Sequence, residues 1–312
     1  MTAIVSPDTP ACSVLAQQLG DPLTATALEV TAWLLLEHAG PWGKNALTES
    51  GLDPAGTAEL DRIERRIGVR TQLISPPAEQ EPRWCYAAVR APGRAPGWGR
   101  RAVDGLADLL GFDFAALAAG QLPPDFEPVA EPLYAVCANE AGDPCCGRSG
   151  AAVHVALRAQ VGDRARRTAH VGGHKFAANV VVFPHGHYYG RVDPAAAAAI
   201  TAATEAGRIE LEHFRGRSTY TIPEQAADDA LRQQGSYLGL DEVSLVERAV
   251  EAGDRTYRSR FTTADGRRHT VTVRSEDQSP ARLQSCTDAG PSTPVRWSCV
   301  ELHSAEPIGH DA

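Results

Sequence analysis

Seven cysteines and ten histidines are spread along the 312 residues, and one stretch gathers both. From residue 137 the chain reads C-A-N-E-A-G-D-P-C-C-G-R-S-G, with Cys137 closing an apolar run and Cys145 and Cys146 opening a helical pattern. A turn from a strand into a helix N-terminus favours thiolates, because unpaired amide N–H groups and the helix dipole converge there. Downstream, H-V-G-G-H-K-F-A-A-N places His170 and His174 four residues apart. On a helix they would share a face, yet each of the intervening Gly172 and Gly173 disfavours a helix by about 1 kcal/mol. The spacing therefore predicts a loop, in which glycines let the backbone turn tightly enough for both imidazoles to reach one metal centre. Two thiolates and two imidazoles make a complete four-ligand set.

Two occupants suit that set. Zinc accepts these ligands tetrahedrally. However, the 137–146 gap is wide for a zinc hairpin, and apolar strands and helices here remove the need for a metal in place of a core. A 2Fe-2S cluster offers two iron corners, one for the cysteines and one for the histidines. A third chemistry, a thiol-dependent oxidoreductase working through Cys145 and Cys146, lacks the two intervening residues of a thioredoxin-type site. The remaining thiols read as structural: Cys12 as a lone buried thiol, and Cys85, Cys286 and Cys299 as core residues in strand-like patterns. His185 and His187 read as a solvated hairpin tip, the R-A-R-R run at 164–167 as a solvated face, and Trp42 as a loop anchor.

The elements that must position these groups follow from periodicity. After a polar lead-in over 1–27, with a short helix at 13–19, strands are expected at 30–37, 70–74 and 84–89. Helices are expected at 57–67 and 101–110. The segment 122–132, with its prolines and acids, reads as a linker. The order then returns: strand 133–138, helix 149–161, strands 166–170, 179–183 and 188–192, and a helix from Asp193 through 206, with Pro194 at its first position. Two copies of a β-α-β-β-α order predict an α/β protein with duplicated thioredoxin-like units. From about 210 a helix at 223–233 precedes four alternating segments that read as a small antiparallel sheet, and 306–312 reads as a frayed end. The expected organisation is a first α/β unit over 1–120, a linker over 121–132, a ligand-bearing domain over 133–209 and an α+β extension over 210–312.

Composition narrows the function. Thirty basic against 39 acidic residues give a net charge of −9, which argues against a nucleic-acid binder. Lys44 and Lys175 are the only lysines. No apolar run nears the ~18 residues of a membrane span, and the N-terminus lacks a basic start before an apolar stretch. A cytoplasmic protein is expected. In a reducing compartment an odd number of cysteines points to metal or redox chemistry rather than a disulfide framework. No phosphate-binding or dinucleotide motif is present in the sequence.

The segments 137–147, 172–179 (G-G-H-K-F-A-A-N) and 189–192 (Y-G-R-V) resemble the sucrase/ferredoxin-like family, which is similar to thioredoxin-like ferredoxins and includes the yeast Apd-type proteins. W-L-L-L-E-H-A-G-P-W-G-K-N-A-L at 33–47 and F-R-G-R-S at 214–218 extend the resemblance to about residues 10–230. The resemblance implies a 2Fe-2S cluster on a thioredoxin-like domain, with ligands falling on Cys137, Cys146, His170 and His174. Cys145, beside a ligand, departs from the pattern and reads either as a substitute for Cys146 or as a bystander. Sucrase activity gains no support, since no carboxylate pair is assignable to acid and nucleophile roles. Replacing two thiolates by neutral imidazoles raises the potential of such a cluster, and the free ring nitrogens couple reduction to protonation. The expectation is a one-electron carrier serving a redox protein partner. Lys175 and Arg191 either place positive charge beside the cluster or are solvated cations.

Overall fold

Ten strands drawn from the first 217 residues join into one mixed sheet, in the order Phe214–Arg217, His187–Tyr189, Val180–Phe183, Leu133–Cys137, Ala165–Thr168, Val69–Ile74, Ala32–Glu37, Arg83–Val89, Gly97–Val103, Glu127–Pro128. The structure is a computed structural model describing residues 11–77, 82–90 and 95–305. The expected frayed end at 306–312 and the first ten residues of the lead-in lie outside it.

The first half contains α1 (Cys12–Gln18), β1 (Ala32–Glu37), α2 (Pro54–Ile67), β2 (Val69–Ile74), β3 (Arg83–Val89), β4 (Gly97–Val103), α3 (Leu106–Leu110), α4 (Phe114–Ala118) and β5 (Glu127–Pro128). Asp53 caps α2 by accepting from the Gly56 amide at 2.7 Å, and Gly68 ends it with a left-handed φ of 71°. The second half contains β6 (Leu133–Cys137), α5 (Pro144–Val161), β7 (Ala165–Thr168), β8 (Val180–Phe183), β9 (His187–Tyr189), α6 (Pro194–Glu205) and β10 (Phe214–Arg217). The halves repeat one arrangement. β1 runs parallel to β2 and antiparallel to β3, as β6 does to β7 and β8.

The halves meet through β2 and β7, where Ile74 pairs with Thr168. The Thr168 hydroxyl donates to the Leu73 carbonyl at 2.7 Å and accepts from Gln72 Nε2 at 2.9 Å. Although three strands separate β1 from β8, the Trp33 and Phe183 rings lie 5.4 Å apart, edge to face. The sheet is therefore strongly curled, as its right-handed twist favours. Trp33, Tyr86, Trp98, Cys137, Cys146 and Tyr188 share the resulting inner core. α2, α3 and α4 cover the opposite face of the first half, and α5 and α6 that of the second.

A second sheet, β11 (Val243–Glu251), β12 (Thr256–Thr263), β13 (Arg268–Asp277) and β14 (Val295–Ala305), is an antiparallel meander in sequence order. It packs against α7 (Ile222–Gly235), whose N-terminus carries a capping box of Thr221 and Glu224.

The α/β class is as expected, and several local readings change. Residues 101–103 are strand rather than helix, because β4 pairs along its whole length with β3. The linker segment contributes β5 to the sheet edge, and residues 214–217, assigned to the extension, complete the opposite edge against β9. His187 is buried in β9 rather than solvated, and Arg166 is buried within 3.9 Å of the buried Glu37. Cys85 is buried, but Cys286 lies half-buried in a loop and Cys299 is exposed. Trp42 does anchor its loop, donating from Nε1 to the His38 carbonyl at 3.2 Å.

Candidate metal centre

β6 ends at Cys137, and the chain turns through 138–142 to Asp143, which caps α5 by accepting from the Cys145 amide at 2.8 Å. Pro144 takes the first helical position, where a missing N–H is tolerated. α5 lies so close to the strand end that a Cβ on Gly150 would collide with the Cys137 carbonyl oxygen. Only glycine permits this approach, and it sets the first turn of the helix over the strand terminus. Cys137 and Cys146 are buried there, 0% and 1% exposed.

His170 follows β7, and His174 opens a single 3-10 turn (His174–Phe176). Gly172 and Gly173 take left-handed φ values of 85° and 75°. The loop folds back so that the two imidazoles lie face to face, ring centroids 3.8 Å apart and planes within 8°. Ligand atoms of Cys137, Cys146 and His170 all lie within 4.8 Å of one another. His174 Nδ1 lies 3.6 Å from the Cys146 sulfur. The sulfur end of this pocket is sealed, whereas the imidazole end reaches outward. His174 retains 16% side-chain exposure, and His170 borders an open cavity of about 430 Å³ also lined by Lys44, Arg65 and Arg70.

The electrostatics suit metal binding. A hydrogen bond from the Cys146 thiol, helped by His170, holds Cys137 well below the ordinary thiol range, and the same contact pushes Cys146 up, so the pair shares one proton. Burial, with His170 alongside, lowers the His174 pKa and keeps that ring in the neutral form that ligates metals.

Sequence reasoning missed the cation of this pocket. Arg215 of β10 is buried under the diglycine loop, donating from Nη1 to the Gly172 carbonyl at 3.2 Å and to Asn179 Oδ1 at 2.7 Å, and from Nε to Thr26 Oγ1 at 3.0 Å. Burial lowers its pKa to about 10, opposed by Tyr188, Cys137 and Cys146, which leaves it charged at neutral pH. The signal was the second residue of F-R-G-R-S, a buried-strand pattern interrupted by arginines. Lys175 instead donates to Asp21 at 2.7 Å, and Arg191 to the Asp21 carbonyl at 2.6 Å, so both tie down the segment following α1.

Cys145 and Cys146 face different neighbours. The Cys145 sulfur lies 3.6 Å from that of Cys12 and 3.5 Å from that of Cys286. Cys12 is therefore not a lone thiol and Cys286 is not a core residue, and Cys145 faces these two sulfurs rather than the Cys137–Cys146 pocket.

The fold and pocket define an α/β protein whose second half brings together cysteine and histidine donors that could hold a metal ion. The sucrase/ferredoxin-like family matches residues 23–216, and the chain belongs to that family. No curated protein and no solved structure matches it. The matched span runs from the lead-in to β1 through most of β10, includes Arg215 and the four candidate ligands, and leaves Cys12 and Cys286 outside. Among the described residues, no helix is long and apolar enough to cross a membrane.

Proposed function

We propose that the protein is a one-electron carrier whose 2Fe-2S cluster is held by Cys137, Cys146, His170 and His174 on a thioredoxin-like half of the sheet. The observation that carries this reading is the convergence of two buried thiols and two imidazoles on one pocket. The donor chemistry fits, since thiolates and neutral imidazoles are the ligands of mixed Cys/His clusters. When bound, such a cluster supplies a reversible one-electron couple at a potential raised by the neutral ligands.

The chain's own residues divide the remaining work. Cys137 and Cys146 hold the inner side in a dry core, while His170 and His174 lie toward the surface, where a ring nitrogen not engaged with metal exchanges a proton with water. Arg215 keeps a positive charge beside the sulfurs and fixes the diglycine loop. A redox protein partner reaches the imidazole edge. Sucrose hydrolysis draws no support from the pocket. Asp143, the carboxylate 3.7 Å from His174, accepts hydrogen bonds from the Cys145 amide, the Ser285 hydroxyl and the Cys286 amide, and glycoside hydrolysis needs two carboxylates.

One observation favours a second reading, a redox-silent zinc module. The 3.6 Å between Cys146 Sγ and His174 Nδ1 is close to the ~3.5 Å that a single tetrahedral ion imposes on a sulfur and a nitrogen. Anaerobic purification separates the two. Brown protein with equimolar iron and sulfide, bleached by Cys146→Ala and spared by Cys145→Ala, is expected. Colourless protein with stoichiometric zinc lost on His170→Ala would establish the alternative.

A further inference from the structure

We infer that Cys12, Cys145 and Cys286, with Asp143, form a second metal site that binds one zinc ion and staples three remote segments of the chain together beside the first centre. The Cys145 sulfur lies 3.6 Å from Cys12 and 3.5 Å from Cys286, and all four donor atoms fall within 4.8 Å of one another. Tetrahedral zinc, with Zn–S bonds of ~2.3 Å, sets its sulfurs about 3.8 Å apart. The Cys145 sulfur stands within about 0.3 Å of that separation from both other sulfurs. Three thiolates and a carboxylate are a soft-weighted set that selects zinc over magnesium or calcium.

The surroundings are built rather than accidental. Asp143 is completely buried and already oriented: Oδ1 accepts from the Cys145 amide at 2.8 Å, and Oδ2 from the Ser285 hydroxyl at 2.9 Å and the Cys286 amide at 3.0 Å. A carboxylate has about four acceptor sites, so one remains for the ion. The loop presenting Cys286 is braced by Asp288, which accepts from the amides of Gln284 and Ser285 at 2.7 and 2.8 Å. The sulfurs also receive donors, the Cys12 amide on Cys286 at 3.3 Å and the Ser13 hydroxyl on Cys145 at 3.4 Å. Such outer hydrogen bonds are what fix metal ligands in place.

Cys12 precedes and Cys286 follows the 23–216 span that matches the family, while Asp143 and Cys145 lie within it, so the site joins the flanking segments to the matched body. It assigns a role to the C-terminal extension, which delivers one thiol to the cluster that α1 and α5 begin. The inference stands independently of what occupies the first centre.

The test is the zinc content of the full-length protein, purified anaerobically and exchanged against a weak chelator. The wild type is expected to retain one zinc more than Cys12→Ser or Cys286→Ser, whose first-centre metal stays at the wild-type level, and His170→Ala is expected to keep that zinc. Alkylation mapped by mass spectrometry covers variants that fail to fold. In the wild type, Cys286 should resist alkylation until a strong chelator removes the zinc, then react with a rate gain of at least tenfold. Zinc lost in His170→Ala but kept in Cys286→Ser would overturn the proposal, as would zinc-free protein after reconstitution with zinc chloride. A disulfide between any two of the three thiols in the native protein would overturn it too.

Discussion

At the scale of single residues, the metal pocket depends on groups chosen for where they cannot be replaced. Gly173 has a left-handed φ, and a Cβ there would run into the Arg215 guanidinium. Gly173→Ala should therefore cost about 1–2 kcal/mol for backbone conformation alone and displace the cation. The expected readout is loss of bound metal at a Tm lowered by several degrees. Arg215→Gln keeps a polar side chain but removes the buried charge, so bound metal should become more labile to chelators while the far-UV circular dichroism is unchanged. Unchanged metal retention would remove Arg215 from the centre. The need for glycine between the histidines was legible from their spacing, whereas the choice of Cys137, Cys146, His170 and His174 as candidate ligands came from the family resemblance. Arg215 and the Cys12–Cys145–Cys286 group were legible from neither. Their partners lie tens to hundreds of residues away, and no local pattern marks a contact made only by folding.

At the scale of elements, the sequence reading was accurate at α6, where Asp193 and Pro194 mark the start as expected. It began α5 five residues late, at 149 rather than at Pro144 behind the Asp143 cap. It failed at β4, where Val103, Leu106 and Leu110 stand at helical spacing although Gly105 divides strand from helix. It failed again at β9, whose His187 is buried with Nε2 lacking a hydrogen-bond partner. Burial, reinforced by the Arg217 guanidinium, holds the His187 pKa well below 6.5 and that of the adjacent His185 at about 4. The unfolded chain takes up protons below pH 6.5 that these rings refuse when folded. Their stabilisation is thus complete above pH 6.5 and is lost as pH falls, at up to about 1.4 kcal/mol per pH unit for each ring. His187→Leu should flatten the fall in denaturant midpoint between pH 7.5 and 5. An unaltered pH dependence would exclude His187 from it.

At the scale of the whole molecule, the curled sheet makes one core of both halves, with Trp33 in β1 against Phe183 and Tyr188 in β8 and β9. Trp33→Ala should cost about 3–5 kcal/mol in a single cooperative transition; two separate transitions would show that the halves are independent. The segment after α1 and the loop before β14 meet over this body. Buried Arg282 pairs with buried Asp21, which Lys175 also reaches, tying the C-terminal extension to the lead-in. Removing one partner of a buried pair costs about 3–5 kcal/mol, so Arg282→Ala should lower stability by that amount and speed proteolysis near α1. Neither tie was visible beforehand, because charges 261 residues apart carry no joint periodicity.

A redox-active cluster held by two imidazoles and two thiolates has a direct spectroscopic signature. Pulsed electron paramagnetic resonance on the dithionite-reduced protein, labelled with 15N-histidine, tests it most directly. The account requires a spin-half signal with strong couplings to two histidine nitrogens, one vanishing in His170→Cys and the other in His174→Cys. A reduced signal without histidine nitrogen coupling, or no signal at all from fully metallated protein, would contradict it.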